Sequence, residues 1–282
     1  MNSIGKKENK RGTALVEDLT VLENYELSRG YYLMQLVSGT GEPPLPGQFY
    51  QFKIKRDNYS HDPLLRRPLS IHNFDREKKV LSFLYRVVGR GTELLSSFIT
   101  GERVNILGPL GNGFSTDLKD KNILIIGGGM GVAPLFYLAR ELMSENKVKV
   151  FLGFNNFKEA DYFDKEFQSN VCKAQISTLD GSYGYKGNVL ELLNDYTERV
   201  FNGGTVDYFY TCGPGQMLAE LQQFSRKYRI PGEVSLEERM GCGTGVCLSC
   251  VCKTVDGNRR VCSDGPAFNI QDVIFKGGAK NV

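Results

Sequence analysis

Asn122-Ile-Leu-Ile-Ile-Gly-Gly-Gly-Met-Gly-Val-Ala-Pro-Leu135 is the stretch whose reading decides how this chain folds. Asn122 to Ile126 is a short apolar run of the kind found in buried strands. After Pro134 the pattern changes to a period of 3.6, with Leu135, Leu138, Ala139, Leu142 and Met143 on one helical face. Strand, glycine turn and helix, in that order, form a dinucleotide-binding unit, because the turn brings phosphates to backbone N–H groups at the helix start. The eighteen residues from Asn122 to Ala139 carry no charge. Gly127, Gly128, Gly129, Gly131 and Pro134 interrupt them in the middle, which argues against a membrane-spanning helix.

Downstream, Val148 to Phe154 reads as the next strand and Asp207 to Thr211 as another. Pro214 suits the first turn of a helix that turns Met217, Leu218, Leu221 and Phe224 inward. The glycine turn departs from the Gly-x-Gly-x-x-Gly fingerprint: counted from Gly127 the last position is Val132, and counted from Gly129 it is Pro134. Asn155 and Asn156, rather than an acid, end the second strand. Asn155 could bond a ribose and Lys158 could attract a 2′-phosphate, so NAD against NADP stays open on these residues. Asp180-Gly-Ser-Tyr-Gly-Tyr-Lys-Gly187 has turn composition throughout and is expected as a loop over the cofactor cleft, a plain surface loop being the alternative.

Upstream, from Gly12 to Phe114, β-rich segments (Tyr31 to Val37, Phe49 to Ile54, Val80 to Val88, Arg103 to Leu107) alternate with glycine and proline clusters such as Glu42-Pro-Pro-Leu-Pro-Gly47. This predicts an antiparallel barrel or sandwich. Pro68 holds Arg67 extended, so Arg67 and Ser70 stand at spaced points that suit a pyrophosphate. Leu84-Tyr-Arg-Val-Val-Gly-Arg-Gly-Thr92 ends a strand in a turn with exposed amides and a hydroxyl before a helix-like segment from Glu93 to Phe98, an arrangement suited to an anion.

Near the C-terminus, Cys242, Cys247, Cys250 and Cys262 follow the spacing Cys-x4-Cys-x2-Cys, eleven residues, Cys, that of plant-type [2Fe–2S] sites. Gly241, Gly243 and Gly245 let the loop curl around a cluster. Structural zinc is the competing reading, although zinc knuckles pair two short hooks whereas here a three-cysteine loop meets one distant thiol. Disulfides fit poorly with seven cysteines and no secretory signal. Cys252 shares a face with Cys250 in an extended segment but lies off the spacing, and is left out of the ligand set. Phe268 and Ile270, beside the last ligand, suit a core or an interface equally.

A chain of 282 residues allows two to three units, and 41 % hydrophobic with 24 % charged residues is the balance of a soluble globular protein. A net charge of +3 over that length gives no sign of nucleic-acid binding. Met1 to Arg11 is polar and basic, neither signal peptide nor anchor, and is expected to be disordered in a cytoplasmic protein.

Arg67-Pro-Leu-Ser70 paired with Gly91-Thr92, ahead of a glycine-rich α/β domain, resembles the flavin domain of the ferredoxin reductase superfamily. The resemblance implies FAD held by Arg67, Pro68, Leu69 and Ser70, by Leu84, Tyr85 and Arg86 near the isoalloxazine, and by Gly91 and Thr92 at the phosphates. The Gly-Gly-x-Gly-x-Ala-Pro turn resembles the nicotinamide domain of the same superfamily. It implies Gly127, Gly128, Gly129 and Gly131 at the NAD, with Cys212, Gly213 and Pro214 near the nicotinamide; Cys212 also reads as a small buried strand-end residue. With Gly108-Pro-Leu-Gly-Asn-Gly113 and Glu237-Glu-Arg-Met-Gly-Cys242, the whole from Gly12 onward is similar to the electron-transfer subunits of type B dihydroorotate dehydrogenases. The architecture so implied is multi-domain β plus α/β: a disordered extension (1–11), an antiparallel β-barrel FAD domain (12–116), a parallel-sheet NAD domain (117–230) and a small [2Fe–2S] module (231–282). The function so implied is electron flow from an FMN-containing catalytic subunit, in a heterotetramer of two of each chain, through [2Fe–2S] and FAD to NAD+ as dihydroorotate becomes orotate in pyrimidine synthesis. A reductase subunit of another oxidoreductase, of hydrogenase or sulfite reductase type, is the alternative. No length remains for a substrate barrel, so the partner must oxidise dihydroorotate.

Overall fold

The computed structural model describes residues 14–39, 42–54, 62–200 and 205–275. The expected disordered extension, residues 1–11, lies outside them. Six antiparallel strands, β1 (Leu15–Ser28), β2 (Tyr31–Val37), β3 (Phe49–Lys53), β4 (Arg67–Asp75), β5 (Val80–Arg86) and β6 (Arg103–Leu110), close into a barrel in the order β1-β2-β5-β4-β3-β6. Helix α1 (Arg90–Ser96) fills the connection between β5 and β6. In β6 the residues Val104, Ile106 and Leu110 alternate inward, as a period of two demands. Phe52 and Phe83 meet edge to face at 4.8 Å in the barrel core. Each such buried ring contributes about 1.5–3 kcal/mol by its burial alone. β1 was hidden in the sequence because it serves two partners: its first half pairs with β6 and its second half with β2, with irregular register around Val21 to Glu23 and Glu26 to Ser28. Its apolar residues therefore keep no single alternation.

The second layer is an α/β unit: β7 (Asn122–Gly128), α2 (Ala133–Leu142), β8 (Lys147–Phe154), α3 (Phe157–Asn170), β9 (Gln175–Thr178), β10 (Tyr185–Lys186), α4 (Val189–Val200), β11 (Tyr208–Cys212), α5 (Gly215–Tyr228) and β12 (Gly232–Ser235). The sheet runs β10-β9-β8-β7-β11-β12 with all neighbours parallel, and a last antiparallel strand from residues Ala267–Asn269 lies beside β12. The chain builds outward from β7 to β10 and then returns to the other side of β7 with β11. A crevice consequently opens at the carboxyl ends of β7 and β11, the place where such sheets take ligands. Asn156, read as a strand end, is instead the N-cap of α3, accepting from Glu159 N at 3.3 Å. Asp180 to Gly187 folds back so that β10 extends the sheet edge beside β9, and it lines neither cavity described below.

A hairpin, β13 (Val251–Thr254) with β14 (Gly257–Arg260), follows the cysteine loop, and β15 (Ala267–Asn269) then adds itself antiparallel to β12. β12, on the module's side of the expected division at residue 230, is hydrogen-bonded to β11, so sheet and module share an edge. Phe268 and Ile270 are buried with Phe209, Leu218 and Leu221 in one core. Asn112, at the end of the barrel, donates to the carbonyls of Ser263 and Asp264 at 3.2 and 3.0 Å. Barrel, sheet and cysteine module are thereby locked together. Among the described residues no helix is long and apolar enough to cross a membrane.

Candidate functional site

β4 and β5 lie side by side in the barrel and deliver Arg67 to Ser70 and Leu84 to Arg86 to the same rim. Together with Thr92 they line a cleft of about 380 Å³. Its far walls come from elsewhere in the chain: Met130 and Ala133 from the glycine turn, and Glu237, Glu238 and Met240 from the segment leading into the cysteine loop. Each β4 residue from Arg67 to Ser70 is partly exposed and lines this space, whereas Ile71 beyond them is buried in the barrel. A Cβ on Gly91 would collide with the Arg67 side chain, which explains why a glycine stands there. The Thr92 hydroxyl does not point free: it accepts from Val88 N at 2.9 Å and donates to Gly89 O at 3.0 Å, holding the turn in shape. The Arg67 guanidinium donates to Leu65 O at 2.7 Å, and Arg86 lies over the Tyr31 ring at 5.3 Å.

At the β7–β11 crevice the glycine turn approaches the end of β11 so closely that a Cβ on Gly131 would strike the Cys212 carbonyl and the Gly213 amide. Gly128 packs on Pro214 and Met217 in the same way. The seven residues expected at the NAD, Gly127, Gly128, Gly129 and Gly131 with Cys212, Gly213 and Pro214, thus meet at the carboxyl ends of two adjacent parallel strands. Burial, then the charge of Glu237, push the Cys212 thiol far above its ordinary range, so it stays a neutral thiol. Gly213 and Gly215 open on a second cavity of about 510 Å³, whose other walls include Glu237, Glu238, Cys252 and Lys253. Glu237 therefore faces both cavities. The protein packed around it raises its carboxyl pKa.

The four cysteines of the motif meet two by two. Cys242 N donates to the Cys247 sulfur at 3.4 Å and Cys247 N to the Cys242 sulfur at 3.5 Å, while Cys262 N donates to the Cys250 sulfur at 3.4 Å. Gly243 and Gly245 take φ of 74° and 88°, which turns the loop tightly enough to bring the first pair together. Burial opposes charge on Cys242, but the Thr244 hydroxyl and the backbone N–H groups of Cys247 and Thr244 outweigh it and bring its pKa down to about 5. Cys262 goes the other way, pushed up to about 12 by burial and by the neighbouring Cys250 sulfur. Among the described residues no three His, Cys, Asp or Glu side chains are arranged around a single metal ion. Two pairs of sulfurs are the donor set that two irons need. Cys252 lines the second cavity instead, its thiol raised to about 11 chiefly by burial.

Residues 237–274 match the model of the iron–sulfur cluster binding domain of dihydroorotate dehydrogenase B. A relative from Desulforamulus reducens, a dihydroorotate dehydrogenase B (NAD+) electron transfer subunit, is 40 % identical over 267 residues, covering 93 % of this chain and 99 % of the relative. One of the same description from Geobacillus sp. is 38 % identical over 92 % of this chain and 98 % of its own. The chain belongs to the dihydroorotate dehydrogenase B electron-transfer subunits. In fold, this dihydroorotate dehydrogenase B subunit is also similar to the solved structure of an NADH-dependent reduced ferredoxin-NADP oxidoreductase, with a TM-score of 0.75 at 25 % identity over 91 % of this chain and 90 % of that one. The matched iron–sulfur domain of the electron-transfer subunit contains all four motif cysteines and also Glu237 and Glu238. Those two carboxylates were not among the expected site residues; both are exposed, and the fold puts them on the lining of both cavities.

Proposed function

We propose that the chain carries FAD in the first cleft, NAD at the β7–β11 crevice and a [2Fe–2S] cluster in the cysteine loop. It passes electrons from a catalytic subunit to NAD+ while dihydroorotate is converted to orotate in pyrimidine synthesis. The observation that carries this reading is the lining of the first cleft, where the barrel strands, the glycine turn and the approach to the cysteine loop share one cavity. A flavin bound there exchanges a hydride with a nicotinamide and single electrons with an iron–sulfur centre.

The chain's own residues bind and orient. Arg67 and Ser70 supply a guanidinium and a hydroxyl for a pyrophosphate, with Pro68 and Leu69 holding them extended. Leu84, Tyr85 and Arg86 flank the ring system. Gly91 leaves room for Arg67, and Thr92 acts by shaping the turn rather than by spending its hydroxyl proton on a phosphate. Gly127, Gly128, Gly129 and Gly131 form the phosphate side of the crevice, and Cys212, Gly213 and Pro214 its floor. Cys242, Cys247, Cys250 and Cys262 would hold the cluster, which would supply one-electron transfer there. The partner is an FMN-containing catalytic subunit in a cytoplasmic assembly of two of each chain. Exposed Val246 and Leu248, on either side of exposed Cys247, support an approach of that partner to the cysteine loop.

A tagged anaerobic pull-down from native cells tests the reading, with the eluate assayed for dihydroorotate-dependent reduction of NAD+. Activity that co-elutes with a second chain is the expected result. A partner that elutes without any response to dihydroorotate would move the subunit to another oxidoreductase.

A further inference from the structure

Between the barrel and the sheet lies a buried histidine with a part-buried glutamate, a pair that lines neither cavity. In β4 the pairing with β5 slips between Ile71 and Asn73, so His72 is the extra residue of a bulge. Ile71 and Phe74 on either side both face the barrel core, and His72 is turned the other way, onto α2. Bulges of this kind re-aim single side chains. The ring is 1 % exposed, stacks on Phe136 at 4.8 Å, and places Nδ1 at 3.0 Å from the Ala133 carbonyl and Nε2 at 2.9 Å from Glu166 Oε1. A carbonyl and a carboxylate both only accept. Both ring nitrogens must then donate, which makes His72 an imidazolium facing a Glu166 carboxylate.

Its two anchors decide what the pair does. Ala133 is the first residue of α2, immediately after the glycine turn, and itself lines the first cleft. Ser70, two residues before His72, lines that cleft from the barrel side. Glu166 belongs to α3, which follows β8 in the sheet. The other hydrogen bonds between α2 and β4 or its end are at the surface, Arg140 to Asn73 Oδ1 at 2.6 Å and Arg76 to Glu141 at 2.7 Å, while Tyr137 of α2 packs with Ile71 and Phe74 in the barrel core.

We propose that His72 and Glu166 are a positioning pair for hydride exchange, setting the glycine turn at a fixed offset from the flavin-binding strand. The inference rests on the reading of the cleft and the crevice given above. The titratable groups that face the pair are Tyr162 from α3, whose hydroxyl donates to Glu166 Oε1 at 3.1 Å, and Tyr25 from β1. Burial raises both phenols, so neither brings a charge. Burial also works against the imidazolium, but the Glu166 carboxylate and the bonds to Glu166 and Ala133 outweigh it and hold the His72 pKa above its ordinary value. The doubly donating form is therefore complete below the ordinary histidine pKa of about 6.5 and is lost as pH rises through the raised value. Above it, a bare nitrogen would face a carboxylate.

Two variants of the full chain test this, His72→Phe and Glu166→Gln. A phenylalanine keeps the stack on Phe136 and removes both bonds. A glutamine can donate to a neutral ring, so it keeps the geometry without the charge. Three quantities are measured on each: FAD per chain, the flavin spectral change on titration with the non-reducing analogue tetrahydro-NAD, and single-turnover flavin reduction by NADH from neutral to alkaline pH. His72→Phe should keep its FAD, lose the analogue's long-wavelength band, and reduce its flavin about ten- to a hundredfold more slowly, the scale expected of a misplacement near 1 Å. Glu166→Gln should match the unaltered chain at neutral pH but lack its alkaline fall in rate. A flavin-replete His72→Phe chain with an unchanged band and rate overturns the proposal. Should that variant fail to fold, an alkaline limb unchanged in Glu166→Gln overturns it equally. An unaltered chain that bound no FAD would remove the reading of the cleft, and this inference with it, which is a distinguishable result.

Discussion

Cys247 is the most exposed of the proposed ligands, and its thiol pKa is lowered first by the Ser249 hydroxyl and then by backbone N–H groups. Replacing it by serine removes a sulfur from the exposed pair without opening a cavity in the core. Cys247→Ser should lose the reduced-cluster electron paramagnetic resonance signal and partner-dependent turnover while retaining FAD; a normal signal would refute the ligand assignment. Arg67→Ala removes the guanidinium from the cleft and leaves the barrel strands intact, because Arg67 is half-buried at the start of β4 rather than in the core. Its affinity for FAD should fall about tenfold or more, the equivalent of one charge-assisted bond at the weak end of its range, and its flavin content after purification should fall with it. An unchanged flavin absorbance per chain would count against Arg67 as a binding residue.

The elements that carry these residues are held by few but specific ties. Arg260 and Asp264 bracket Cys262, with guanidinium to carboxylate distances of 2.9 and 3.0 Å and a further bond from Arg260 N at 2.8 Å. Burial alone would raise the Asp264 carboxyl; the Arg260 side-chain and backbone bonds outweigh it and lower its pKa below the ordinary value. A depressed carboxyl stabilises the fold above its unfolded pKa of about 3.9, and that contribution disappears as pH falls through the lower folded value. Arg260→Gln should therefore release the cluster faster than the unaltered chain at neutral pH, with the difference vanishing in acid, as followed by loss of visible absorbance. Asn112→Ala acts at the other tie: it removes the two bonds that join the end of the barrel to the carbonyls of Ser263 and Asp264. Urea unfolding should show it destabilised by about 1–3 kcal/mol. The glycine turn and β11 need no such side-chain tie, since Gly131 already lies against the Cys212 carbonyl.

At the scale of the molecule, the barrel, the sheet and the cysteine module converge on one cleft. Among the described residues the six-stranded barrel is filled by its own side chains, Met34, Phe52 and Phe83 among them, and the first cleft lies at its rim. Purified alone, it should oxidise NADH with an artificial acceptor at a rate that does not respond to dihydroorotate, and adding the catalytic subunit should create that response. Dihydroorotate-dependent NAD+ reduction by the isolated chain, followed by the absorbance of the reduced nicotinamide, would contradict this division of labour.

Local chemistry made much of this legible from sequence. The cysteine spacing is a property of one loop, the break at Gly127 to Gly131 a property of one turn, and Arg67-Pro-Leu-Ser70 a property of one strand, so each could be read without its neighbours. β1 and α3 were not, for opposite reasons. β1 divides its pairing between β6 and β2 and so lacks a single period, while the start of α3 was masked by Asn155 and Asn156, which read as the end of a strand until Asn156 is seen capping the helix. What the sequence by itself determined was the set of parts: a barrel, a glycine-turn sheet and a four-cysteine loop. Only the tertiary structure decided their common wall, the two-by-two meeting of the sulfurs, the edge that β15 shares with β12, and the burial of His72 between β4 and α2. Apart from the sulfur pairs, which depend on how one loop turns, those relations join residues far apart in the chain through packing and hydrogen bonds, and such contacts leave no periodic trace in the sequence for a local reading to find.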